Sequence, residues 1–353
     1  MRIVAVLLRR IGAALFTLWA MITLTFVLFW AIPSEPEAFV YPYAQHLSEY
    51  QIKHADHLLG LDRPKLEQYG DYFWHVVRFD FGGQWSGALV SADQKIVEQP
   101  IRPVLTGALA VTMSIVLGGA ILVLLLAIPL GAIAGRYAGT WLDRTISLVA
   151  LIAICTHPMV IGLILRTAFG DRLHWAPPSG YCNLIPSKDA VCSGPDQWAS
   201  HLVLPWITFA LLFLALYIRM VRSSVIDTLH EDFVRTARAK GVGEARVLRR
   251  HVVPHASLRV LTMVGMEVGT AIGVCVYIEA AFGFFGLGRM AINNFIGSAA
   301  LDLPQILAVV TTITFVVVVG NVIVDTLYAF LDPRVDASFR SRRMTKEAAG
   351  GVI

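Results

Sequence analysis

Six long apolar runs constrain this chain more than any other feature. They cover about 10–32, 106–135, 144–169, 202–222, 257–281 and 304–330, each long enough to cross roughly 30 Å of hydrocarbon as a helix. Helix is required because lipid leaves no water to satisfy exposed backbone N–H and C=O groups. The expected fold is therefore all-α, a polytopic membrane protein with about six transmembrane helices. With 56% hydrophobic and 15% charged residues in 353, a pair of soluble domains is excluded. The pI of about 8.9 is no nucleic-acid footprint, because the basic residues fall between apolar runs rather than along one solvated face. Run 106–135 exceeds one span and carries Pro129 near its end, so it is expected to tilt or to project beyond the membrane. The first run follows Arg9 and Arg10 but is too long for a signal-peptide core. No small-residue cleavage site follows Ile32-Pro33, which makes it an uncleaved anchor.

The placement of positive charge sets the sidedness. With a cytosolic N-terminus, about 19 of the 29 Lys and Arg fall in the N-terminal tail, 136–144, 219–259 and the C-terminal tail, as the positive-inside rule requires. Both termini are thus expected in the cytosol. The chain divides into 1–32 (tail and first span), an extracytoplasmic segment 33–103, a transmembrane body 104–335 containing a cytosolic hairpin at 223–256, and a cytosolic tail 336–353. The outer segment is read as a small helical cap. Pro64 is placed to start an amphipathic helix through Tyr72 with Leu66, Tyr69 and Phe73 on one side.

Catalytic signatures are missing from the sequence. No Gly-Lys dipeptide occurs, so the chain holds no GxxxxGK[ST] phosphate loop, and HExxH and GxSxG are absent too. His54/His57 and His251/His255 approach ligand spacing, but Pro254 separates the second pair and the first reads as solvated, so no metal site is expected. Cys155 and Cys275 lie in apolar runs and are read as packing residues. Cys182 and Cys192, ten apart in one polar loop, are expected to pair if that loop faces an oxidising exterior. Ionisable groups inside spans point to a pathway or to buried pairing: Glu267 stands for either, and Asp325 for pairing or the interface. Phe282, Phe284 and Phe285 are candidate gate aromatics, with packing as the alternative.

The stretch EDFVRTARAKG, residues 231–241, is a charged island between apolar runs. Asp227 or Thr228 is placed to cap a helix with Glu231 and Asp232 in its early turns. Phe233 and Ala237 form a small apolar face, Arg235, Arg238 and Lys240 line the rest, and Gly241 ends the helix. A second helix is expected to start near Gly243, to turn Val247 and Leu248 inward and Arg246, Arg249 and Arg250 outward, and to break before Pro254. A helix, a tight turn and a helix projecting from the membrane fit a groove in a partner better than they fit a short connecting loop.

The spacing of Arg235-Thr236-Ala237, three residues, Gly241, nine residues, His251, one residue, Val253-Pro254 resembles the EAA loop of binding-protein-dependent ABC importer permeases. Arg235 stands where the general pattern has Glu, and DFVRTARAKG is similar to the form in the B-type subunit of peptide and nickel permeases. Four further segments agree in order. LGLDRPKLEQYGDYF with RFDFGGQW resembles the external segment, with Phe79 at the first position of the usual Gly-Asp-Phe-Gly. LPWITFAL through RMVRSS resembles the fourth span. IEAAFGFFGLGRM resembles Glu-x-x-Phe-x-x-Pro-Gly-Leu-Gly with Phe285 for the proline, and YAFLDPRV resembles the C-terminal signature.

This resemblance implies the type I ABC importer permease fold in a multi-pass cell-membrane protein. It also implies a second homologous permease, two ATP-binding subunits that hold the ATP and Mg, and an extracytoplasmic substrate-binding protein. This chain would bind no cofactor, contact lipid and no nucleic acid, and not be an enzyme. Its coupling residues would be Glu231, Asp232, Phe233, Arg235, Thr236, Ala237, Arg238, Ala239, Lys240 and Gly241. The implied cargo is di- or oligopeptide, with nickel or glutathione as alternatives within the family. A secondary carrier, a reading from another class, would need no ATPase and a more polar pathway.

Overall fold

The computed structural model describes residues 2–31, 49–58, 61–90, 96–186, 192–296 and 302–331. The tail 336–353 and the first part of the outer segment lie outside these residues, as does the side chain of Asp325. Among the described residues, four unbroken helices are long and apolar enough to cross a membrane: α1 (Arg2–Ala31), α4 (Ile101–Arg136), α7 (Pro195–Leu229) and α12 (Leu303–Leu331). Two bent pairs pass the same test of length and composition, so the expected six runs appear as four rods and two broken elements.

The third run is the first of these. Expected as one helix, it forms α5 (Trp141–Cys155) and α6 (Pro158–Leu165), bent by 104°. The cause is Pro158, whose ring disfavours helical geometry at the residue before it. Thr156 and His157 accordingly adopt extended backbone, and the His157 ring accepts a hydrogen bond from the Met159 N–H at 3.3 Å, restarting the chain as a helix. α6 runs on through a π-turn over Arg166–Arg172. The fifth run is α10 (Val253–Phe282), ended by Gly283 at φ 70° and followed at 77° by α11 (Leu287–Ile296).

Between α1 and α4 the chain forms α2 (Glu49–Leu58), α3 (Lys65–Val77) and a two-stranded antiparallel hairpin. Its strands are β1 (Gly83–Val90) and β2 (Ile96–Pro100). The expected helical cap is thus partly β. Gly83 pairs with Pro100 and Val90 with Ile96, with an irregularity between Gln84 and Leu89. α3 starts at Pro64 as expected, but Leu66 is 83% exposed. The face that packs is carried by Tyr69 and Tyr72, which meet Phe26 of α1, and the Tyr72 hydroxyl shares a 2.8 Å hydrogen bond with Thr311 of α12. Phe79, standing where the resembled motif has Gly, takes φ 53°, a backbone region glycine enters without strain. Its ring meets Phe315 edge-on at 5.1 Å.

The core centres on α4 against α7, with α10 across both. Close approach is enforced by small residues on α4. A Cβ on Gly118 would strike the Trp206 ring, one on Gly119 the Phe209 ring, and one on Gly131 the Val221 side chain. This is how membrane helices gain packing contact when lipid supplies no hydrophobic drive. At one end of the pair, the loop 173–194 is closed by the Cys182–Cys192 disulfide. Tyr181 docks it on α4, its hydroxyl pairing with the Ser114 hydroxyl at 3.1 Å, and the same Ser114 oxygen accepts from Trp198 Nε1–H in the first turn of α7 at 3.3 Å.

Candidate functional site

At the other end of α7 the chain folds into the charged hairpin. Asp227 and Thr228 do not cap its first helix, because α7 runs past both and ends at Leu229. Glu231 takes the N-cap position with extended backbone and no side-chain cap bond, and α8 covers Asp232–Ala239. The two acids still lie at the helix start, where the dipole favours them. Helical spacing makes either Phe233 or Val234 a partner for Ala237, three or four positions on. The inward pair is Val234 and Ala237, at 0% and 9% exposure. Phe233 lies outside and tilts against the His255 ring at 5.1 Å.

Gly241 closes the tip at φ 77°. Its N–H donates to the Arg238 carbonyl at 2.9 Å, and the Val242 N–H reaches back to Ala237 O at 3.2 Å, a glycine C-terminal cap. Gly243 then starts α9 (Glu244–Val247). Val247 is buried, and Arg246, Arg249 and Arg250 face out, but no break precedes Pro254. A π-turn over Leu248–Val252 leads directly into α10, because proline is tolerated in the first turn of a helix.

Glu231, Asp232, Phe233, Arg235, Thr236, Ala239, Lys240 and Gly241 are exposed, and Arg238 is half-buried. Thr236 Oγ1 donates to the Asp232 carbonyl at 3.0 Å, and Arg235 stays 3.9 Å from Asp232. Two carboxylates brace the hairpin's base. Glu244 receives Arg238 Nε–H at 2.7 Å and Arg136, the last residue of α4, at 2.8 Å. Those contacts hold its carboxyl below the ordinary range, Arg238 being the larger cause. Asp143 of α5 receives Arg222 of α7 in a bidentate pair at 2.6 and 2.8 Å and the Gly139 N–H at 2.8 Å. Neither acid was singled out in the sequence, because their partners lie 79 and 108 positions away in the case of Arg222 and Arg136. The clue available was that each lies at a helix start beside a basic helix end.

The gate candidates do not converge. Glu267 is half-buried and lines a cavity of about 450 Å³ between α4, α7, α10 and α12, with Tyr217, Phe209, Ala271 and Phe315 among its walls. No described residue hydrogen-bonds its carboxylate. Phe282 and Phe284, 1% exposed, are core residues, and Phe285 is 47% exposed. Helical rise puts Phe282 roughly 22 Å from Glu267 along α10.

Sequence reasoning passed over Glu279, which is 0% exposed. Its Oε1 accepts from the Thr112 hydroxyl at 2.6 Å and its Oε2 from the Arg289 N–H at 2.8 Å. Thr112 in turn accepts the Leu287 N–H at 2.9 Å. The carboxylate thus occupies the start of α11 and fixes the bent pair to α4. A Cβ on Gly286 would collide with the Glu279 carboxyl, which explains the Gly of the Phe285-Gly286-Leu287-Gly288 turn. The signal lay in the sequence, since Glu279 opens the motif containing that turn. The fold supplies Thr112 from 167 residues away.

A family model described as "Binding-protein-dependent transport system inner membrane component" matches residues 127–337, and the corresponding N-terminal model matches 3–85. A Brucella abortus protein named as a peptide transport system permease protein is 30% identical over 331 residues, 94% of this chain and 98% of its own. The oligopeptide transport system permease protein AppB of Bacillus subtilis is 30% identical over 334 residues, 94% and 99% of the two chains. The glutathione transport system permease protein GsiC of Salmonella choleraesuis is 27% identical over 328 residues, 93% and 97%.

Proposed function

This chain belongs to the family of binding-protein-dependent transport system inner membrane components, and from that premise we propose that it is one of two permease subunits of an ATP-driven peptide importer. Of two ATP-binding subunits in the assembly, one docks on the hairpin 231–241 from the cytosol, and an extracytoplasmic binding protein delivers the peptide. ATP and Mg are held by those subunits, and the permease itself carries out no chemistry. Both termini lie in the cytosol, the chain spans the membrane six times with the two bent pairs counted as spans, and the disulfide loop faces the oxidising side. The observation that carries this reading is the hairpin: a glycine-capped helix whose inward face is Val234 and Ala237 and whose outward face offers charge and Phe233. The peptide assignment draws on the names of the Brucella and Bacillus relatives.

The Salmonella relative's name favours a second cargo, glutathione, itself a tripeptide. The test is uptake into proteoliposomes by the assembled transporter with its cognate binding protein, offered dipeptides, longer peptides, glutathione and nickel. ATP-dependent accumulation of a peptide is the expected result. Accumulation of nickel alone, or accumulation without ATP, overturns the reading.

A further inference from the structure

Glu244 joins two elements that the backbone leaves separate. Its Oε1 takes Arg238 Nε–H at 2.7 Å and its Oε2 takes Arg238 Nη2–H at 3.3 Å, both from α8. The same Oε2 lies 2.8 Å from Arg136 Nη1, at the end of α4. One carboxylate therefore ties the exposed hairpin helix to the longest helix of the body. We propose that Glu244 is a positioning residue for transport, a strut that carries displacement of α8 to α4 when the ATP-binding subunits move. The proposal rests on the docking reading given above.

The geometry favours a transmitting role over a merely stabilising one. Apart from the Glu244 link, α8 touches the body through the small apolar side chains Val234 and Ala237 and through the tilted Phe233–His255 ring contact, which resist separation but resist sliding little, since apolar contact is non-directional. A guanidinium–carboxylate contact is directional. Here two of them, from different elements, share one acceptor, so α8 cannot shift without loading Arg136. An isolated exposed pair would carry little, but α9 fixes Glu244 from behind through buried Val247. α4 packs along α7 and against α10, so a load on Arg136 reaches the walls of the Glu267 cavity, to which α4 contributes Leu109, Met113 and Val116.

The experiment uses the complete reconstituted transporter and reads cargo imported per ATP hydrolysed. Glu244→Gln keeps the side chain's shape and removes its charge, and it is expected to lower that ratio at least about five-fold, the low end of a site-to-site coupling. Charge swaps separate the halves of the strut. Glu244→Arg with Arg136→Glu restores only the link to α4, Glu244→Arg with Arg238→Glu restores only the link within the hairpin, and Glu244→Arg with both Arg136→Glu and Arg238→Glu restores the two together. Recovery of the ratio in the triple swap alone supports the strut. An unchanged ratio in Glu244→Gln, recovery in either double swap, or no recovery in the triple swap overturns it. A Lys240→Cys probe that fails to cross-link to an ATP-binding subunit in the otherwise unaltered complex overturns the docking reading itself. An intact cross-link with an unchanged ratio removes only the strut.

Discussion

Gly241 sits at φ 77° with open space around its Cα, so any objection to a side chain there comes from the backbone. Gly241→Val should cost roughly 1–2 kcal/mol through left-handed strain alone. Co-purification with the ATP-binding subunits should fall while the body of the permease still folds, and undiminished co-purification would count against a docked hairpin. Gly286 is the opposite case, crowded rather than strained. Gly286→Ala drives a methyl into the Glu279 carboxyl, and displacing that group leaves buried donors unmet at about 1–3 kcal/mol each. Thermal unfolding in detergent should register a lower midpoint for this variant than for Gly107→Ala, a helical position whose surroundings are open. Glu244 adds a pH dependence whose sign is fixed. Its folded pKa lies below the ordinary 4.5, so its contribution is complete above that value and is lost as pH falls through the depressed one. Spin labels on α4 and α8 should report an unchanged distance between about pH 6 and 8 and a broader distribution in acid. Broadening on the alkaline side would contradict the assignment.

Which elements could be read in advance followed from what determines each. The apolar runs were legible because length and hydropathy are properties of a segment by itself. The glycine stop at 241 was legible for the same reason, since a left-handed cap is a local need. The bend at His157 was equally local, and Pro158 announced it, but a run read for hydropathy alone conceals a break that costs no apolarity. Val234 rather than Phe233 faces inward because the turn at Glu231 sets the angle at which α8 leaves α7, and a three-dimensional angle has no sequence signature. The strands β1 and β2 were missed because their register is irregular and the period-two alternation that signals a strand is lost. The Thr112–Glu279 seat needed a partner from another span, which periodicity never supplies. The α4–α7 contact gives this scale its own test. Gly131→Leu pushes against Val221, and the Ile218 carbonyl lies 3.0 Å from the added Cβ. Because α4 cannot back away from α7 without opening the core, folded yield in membranes should collapse. Gly107→Leu, made where nothing lies near, should be tolerated.

Across the whole molecule, the exposed apolar side chains divide the surface. Leu15, Phe16 and Trp19 on α1 and Leu148, Val149, Leu151 and Ile152 on the α5 face are uncovered, an arrangement a water-soluble surface of this extent would not sustain and one suited to lipid or a second permease. Sidedness is testable at this scale. On the proposed topology, a cysteine placed at Lys240 should react with a membrane-impermeant maleimide only after the cytosolic face is opened, while one placed at Ser200 should react in intact cells. The reverse pattern would invert the molecule.

α7 runs without interruption from Pro195, just after the disulfide loop, to Leu229, where the hairpin begins. Its 35 residues make a rod of roughly 52 Å. In mechanical terms it is a lever with a handle at each end, and a tilt of about 10° displaces one handle relative to the other by roughly 9 Å. If a binding protein grips the loop and an ATP-binding subunit grips the hairpin, each senses the other through the inclination of a single helix, and thermodynamic reciprocity obliges the signal to run both ways.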